Sequence, residues 1–159
     1  MNILIIFLIH WYSSLFFQTV FLHRYSSHQM FTMSRFWEKV FFGFTFITQG
    51  SSFLNPRAYA ILHRMHHKYS DTEKDPHSPE FSKNIIMLNL NTIKHYESIR
   101  RNKKDYSKYD QNVPRWLWLE KFSDHWITRV SFMVTYTLIY VVYTTSTWQY
   151  MLLPIHFVM

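Results

Sequence analysis

His63-Arg64-Met65-His66-His67-Lys68-Tyr69-Ser70-Asp71-Thr72-Glu73-Lys74-Asp75-Pro76-His77 is the stretch on which the reading of the whole chain turns. Its first five residues hold three histidines at H-x-x-H-H spacing. At ~100° per residue of an α-helix, His66 lies ~60° to one side of His63 and His67 ~40° to the other. The three imidazoles therefore share one helix face and are expected to converge on one point, as a metal requires of a rigid element. Asn55-Pro56 supplies the start of that helix, because proline fits the first turn, and Ser78-Pro79 closes the polar segment after it. Upstream, His23-Arg24-Tyr25-Ser26-Ser27-His28 carries a second pair. Five residues apart on an ideal α-helix means ~140° around the axis. A straight helix cannot turn both rings to one metal, so the helix is expected to break between them or the two to serve different metals.

Outward from these histidines the chain is apolar at both ends. Residues 1–22 hold no charged side chain apart from the titratable His10. As a helix they reach ~33 Å, about one bilayer core. Without a basic start or a small-residue cleavage site, and with His10 interrupting it, the run is expected to be a transmembrane helix and not a signal peptide. A span over about 3–22 follows, and Arg24, Arg35 and Lys39 after it put the histidines on the cytoplasmic side. Residues 36–54 are diluted by Gly43, Thr45, Thr48, Gln49, Gly50, Ser51 and Ser52 and read as a buried or interfacial helix or a shallow hairpin. Between Lys94 and Lys121 eight Lys or Arg face four acidic residues, which keeps this part out of the bilayer. Ile85–Leu88 and Trp116–Leu119 within it suit amphipathic helices on the membrane face. From Val130 to Met159 charge is again absent except for His156, and Thr144-Thr145-Ser146-Thr147 divides two spans, about 126–143 and 148–159. The second is ~18 Å long, little more than half a bilayer core, so the chain is expected to be incomplete at its C-terminus. The expected fold class is all-α: one integral membrane helical domain over 1–159, with a cytoplasmic histidine-rich helical region over about 23–125.

Composition narrows the chemistry. With 159 residues the chain suffices for one domain. The absence of cysteine removes disulfides, thiolate metal sites and cysteine nucleophiles together. The formal charge of +7 sits beside long apolar runs, so membrane lipid and not nucleic acid is the expected partner. Clustered imidazoles without thiolates suit zinc, iron, copper or nickel. Zinc hydrolases place a glutamate inside the box, where this chain has Arg64 and Met65. Soluble di-iron bundles use Glu and Glu-x-x-His ligands, and no such pair occurs. Five histidines in two groups beside membrane helices fit a polyhistidine two-metal site for oxygen chemistry. A membrane hydroxylase or monooxygenase of that type, and a non-catalytic metal-binding membrane fragment, stay open at this point.

H-R-Y-S-S-H over 23–28, then H-R-M-H-H-K-Y-S-D-T-E-K-D-P-H over 63–77, resemble the first two histidine boxes of the membrane fatty acid (acyl-CoA) desaturases. The S-D-T-x-x-D-P-H continuation separates that family from the related hydroxylases, and the resemblance covers nearly the whole chain. The short start resembles bacterial members and implies a bacterial inner membrane. The resemblance implies a non-haem site of two irons that uses dioxygen and an electron-donor protein to remove two hydrogens from a saturated fatty acyl chain. It implies His23, His28, His63, His66 and His67 as metal ligands; Asp71, Asp75 and His77, close after them in sequence, are expected to brace the ligand helix by hydrogen bonds or capping. The family completes its site with a third H-x-x-H-H box and one further ligand. Leu153-Pro154-Ile155-His156-Phe157 resembles the returning span just before that box. Animal members carry a charged pair before the second box where this chain has Ile61 and Leu62, which leaves the acyl carrier open.

Overall fold

The computed structural model describes residues 2–70 and 72–159. Every regular element among them is helical. In chain order these are α1 (Ile3–Phe17) running on into a π-helix (Gln18–Ser27), then α2 (Arg35–Gln49), α3 (Pro56–Tyr69) and α4 (Ile85–Arg100). They are followed by α5 (Leu117–Asp124), α6 (Trp126–Tyr143) and α7 (Leu153–Val158), with 3-10 turns at Gly50–Ser52, Ser107–Tyr109 and Thr147–Leu152. Among the described residues two helices are long and apolar enough to cross a membrane: Ile3–Ser27 with 25 residues and Trp126–Tyr143 with 18. The first does not stop at Leu22 as expected but winds on to Ser27 without a breaker. The chain divides into two compact units.

One unit takes the chain up to Phe21, Met33–Leu54 and Trp116–Met159. α1 packs on α2 through aromatic rings, with Phe17 stacked on Phe44 at 5.5 Å and Phe21 edge-on to Phe42 at 5.7 Å. With fifteen residues α2 is ~22 Å long, too short to cross a bilayer. Ser34 caps its start through a bond from Trp37 N, and Gly50 ends it at φ 52°, a conformation glycine adopts without a Cβ penalty. Tyr136 of α6 lies against the face where a Cβ at Gly50 would stand. Arg129 of α6 donates to the carbonyls of Ser51 at 2.8 Å and Phe53 at 3.2 Å, which ties α6 to the turn after α2.

The segment 148–159 differs from the single returning helix that its apolar run suggested. Gln149 Oε1 accepts from the backbone N–H of Thr145 at 2.8 Å and of Ser146 at 3.3 Å, and the chain winds as a 3-10 turn to Leu152. Pro154 then lacks the N–H with which a continuous helix would bond back into that turn, so α7 begins afresh at Leu153. In α7, His156 stacks on His10 of α1 with centroids 4.7 Å apart and shares a 3.4 Å hydrogen bond with Tyr140.

The other unit takes Leu22–Thr32 and Asn55–Arg115. Asn55 caps α3 by accepting from Ala58 N at 3.0 Å, and Pro56 fills the first turn. Ala58, Ile61, Leu62 and Met65 form the apolar face of α3 and pack against Ile99 and Tyr96 of α4 and against Tyr106. Arg57 holds the loop after α4: it pairs with Asp110 at 2.7 Å and donates to Asn102 Oδ1 at 2.7 Å. With its apolar face committed to α4, α3 turns the side that bears the histidines away from this core.

Candidate metal centre

The 140° obstacle between His23 and His28 is removed by winding, not by a break. Residues 18–27 form a π-helix, in which each N–H reaches back five residues. His28 N donates to His23 O at 3.1 Å in that register, which stacks the second histidine one turn above the first. Ser27 Oγ reinforces the same spacing by donating to Leu22 O at 2.7 Å. Their Nε2 atoms then lie 3.2 Å apart.

On α3 the i, i+4 pair His63 and His67 brings two Nε2 atoms within 3.0 Å, and His63 Nε2 lies 3.0 Å from His28 Nε2. His23, His28, His63 and His67 thus form one group whose ligating atoms all lie within 4.8 Å of one another. Hydrogen bonding does not explain it. A neutral imidazole Nε2 offers either one N–H or one in-plane lone pair. His28 and His63 each meet two neighbours through that single atom. A cation satisfies all four at once. With metal–nitrogen bonds of ~2.1 Å, cis ligands lie ~3.0 Å apart at a right angle and ~3.4 Å at a tetrahedral one. The rings also stand edge to face, with interplanar angles of 70–85° for the pairs 23–28, 28–63 and 63–67.

Protonation is disfavoured at His63 and His28. Burial, followed by the proximity of His23, His67, His28 and His66, pushes His63 down to about 3. His28 is lowered as well, by burial first and then by His23, His67 and Arg64. Neutral imidazole is the form that binds a metal. His28 and His67 are exposed, and with His63, Arg64 and Lys68 they line an open cleft on this side.

His66 stands apart from the other four, contrary to the expected convergence of all three H-x-x-H-H rings. Its ~100° offset from His67 points it around the helix. There its Nδ1–H donates to both carboxylate oxygens of Asp75, at 2.9 and 3.0 Å. The Asp75 side chain is 2% exposed and also accepts from the backbone N–H of His77 at 2.9 Å. A carboxylate on Nδ1 fixes the tautomer and leaves the Nε2 lone pair for a metal. The ring of His77 lies edge-on to His66 at 5.8 Å, and its Nδ1 bonds Thr92 Oγ1 at 2.8 Å. Asp71 lies outside the described residues. Sequence reasoning passed over Tyr59, stacked on His63 at 5.8 Å, and Thr92. Tyr59 lies one turn before His63 and was findable from spacing, whereas Thr92 is brought in only by the fold.

A family model described as Fatty acid desaturase matches residues 1–159. Among curated proteins, a "Delta-9 desaturase-like 4 protein" of Arabidopsis thaliana is 28% identical over 123 residues, which is 74% of this chain and 37% of that protein. The chain thus spans a little over a third of that relative's length. No solved structure matches.

Proposed function

The chain belongs to the fatty acid desaturase family, and from that premise we propose that it takes part in oxygen-dependent desaturation of a saturated fatty acyl chain at an iron site held by histidines. The observation that carries this reading is the group of four Nε2 atoms within 4.8 Å, two from the π-helix and two from α3. Its donor set is imidazole alone, which suits iron as it does zinc, copper or nickel, and the family match favours iron among them. His23, His28, His63 and His67, with His66 oriented by Asp75, would contribute five of the ligands of a two-iron site. Bound iron supplies the route by which electrons reach dioxygen.

The chain's own residues do the rest of the work available to them. Asp75 holds the His66 tautomer, and the depressed proton affinity of His63 keeps its lone pair free near neutral pH. The cleft beside His28 and His67 gives small molecules access. In the overall reaction the acyl chain gives up two protons and two electrons as one C–C single bond becomes double. An electron-donor protein adds two electrons and solvent two protons. Dioxygen takes all four electrons and leaves as two waters. The histidines lie on the cytoplasmic side of a membrane crossed by Ile3–Ser27 and Trp126–Tyr143, a sidedness supported by Arg24, Arg35 and Lys39 after the first helix.

The test is the product. The protein is expressed in a host fed a deuterated saturated fatty acid, and its lipids are analysed by mass spectrometry. Loss of two deuteriums from vicinal carbons, abolished by His63→Ala, is the expected result. A hydroxylated chain would assign the site to the related hydroxylases, and unchanged lipids would contradict desaturation.

A further inference from the structure

We propose that Arg64 is the positioning residue of the histidine group, capping the π-helix from α3 and so holding His23 and His28 against His63 and His67. The inference rests on the metal reading given above. It starts from the carbonyls at the end of the π-helix. His23 O accepts from His28 N at 3.1 Å, Arg24 O from Met30 N at 3.0 Å, and Tyr25 O from Gln29 N at 3.1 Å. Gln29, at φ 54°, then turns the chain out of the helix, so the carbonyls of Ser26 and Ser27 have no following helical amide. Both residues are buried, Ser26 at 0% and Ser27 at 5% exposure, which withholds water from them. Their partner is Arg64: Nη2 donates to Ser26 O and Nε to Ser27 O, each at 2.8 Å.

The remaining guanidinium edge faces a third segment. Nη1 donates to Tyr109 O at 2.7 Å and to Gln111 O at 2.8 Å. Gln29 Nε2 reaches the same strand of loop, donating to Gln111 O at 2.9 Å. One planar group therefore locks the end of the π-helix, α3 and the loop 109–111 in a single arrangement. The lever is short. Ser27 immediately precedes His28, and Arg64 immediately follows His63, the two rings whose Nε2 atoms meet at 3.0 Å. The guanidinium N–H groups of Arg64 are taken up by four backbone carbonyls, so it acts through the histidines and not on the metal. A cation also suits a helix C-terminus, where the carbonyl dipoles concentrate negative charge. Lysine lacks the planar fork that reaches four carbonyls in two directions.

The test uses the full chain in detergent, with cobalt(II) as probe. Nitroxide labels at cysteines replacing the exposed Arg24 and Ser70 report the distance between the two histidine-bearing helices, and the cysteine-free background makes labelling specific. Arg64→Gln should keep the helical circular dichroism, broaden the label distance distribution, weaken cobalt binding roughly 10–100-fold and alter its ligand-field spectrum. Arg64→Lys should recover part of each and serves as the folded variant if Arg64→Gln unfolds. In a His23→Ala/His28→Ala background, Arg64→Gln should weaken cobalt binding no further, because nothing is left to position. An unchanged distance distribution in both Arg64 variants, or losses that add to those of the histidine variants, would overturn the proposal. Should the native chain bind no cobalt, the metal reading falls, and the label distances alone decide whether Arg64 clamps the two helices.

Discussion

Asp75 shows how much of the site depends on single atoms. Its carboxylate accepts from His66 Nδ1 and from His77 N while almost wholly buried. Asp75→Asn keeps the shape but halves the acceptor capacity and weakens the hold on the His66 tautomer. Metal affinity is expected to drop roughly 10–100-fold with the fold retained, checked by iron titration alongside circular dichroism. At this scale the sequence was informative. Spacing marks His63, His66 and His67 and the resemblance adds His23 and His28, and four of the five meet in one group. The exception is His66, expected to converge with His63 and His67 but bonded to a carboxylate nine residues on. The role of Arg64 was not legible, because its partners are backbone carbonyls that any residue type could have presented.

At the scale of elements, two caps carry separable stability. Asn55 accepts from Ala58 N and opens α3, so Asn55→Ala should cost about 1 kcal/mol, seen as a lowered denaturant midpoint. Gly50 sits at positive φ with the Tyr136 ring where a Cβ would go. Gly50→Ala should cost more than Asn55→Ala in the same measurement, because backbone strain and a clash with Tyr136 act together. Equal or smaller loss would mean that the turn after α2 rearranges freely. The helices themselves were legible from caps and apolar runs, as Asn55-Pro56 and the charge-free stretch from Val130 show. The π-helix was not. Sequence arithmetic assumes 3.6 residues per turn, and the five-residue spacing of His23 and His28 signalled only that this assumption fails. The 3-10 turn before α7 escaped for a similar reason, since hydropathy does not register the missing N–H of Pro154.

At the scale of the whole molecule, two helices among the described residues are long and apolar enough to cross a membrane, in keeping with the family match. The proposed sidedness predicts that single cysteines at Glu80 and Ser107, both exposed, react with a membrane-impermeant reagent only after lysis. Labelling of either from outside intact cells would reverse the orientation. The all-helical class was legible because charge and hydropathy alternate in long blocks. The packing into two units was not, since it depends on contacts between segments distant in sequence. The central claim is that the imidazoles of His23, His28, His63 and His67 gather around metal. X-ray absorption at the iron edge of the protein loaded anaerobically with Fe(II) tests it most directly. Retained iron with a nitrogen shell and imidazole outer-shell scattering, both diminished in His63→Ala, is the predicted result. Iron that is not retained, or is bound through oxygen with no imidazole signature, would contradict it.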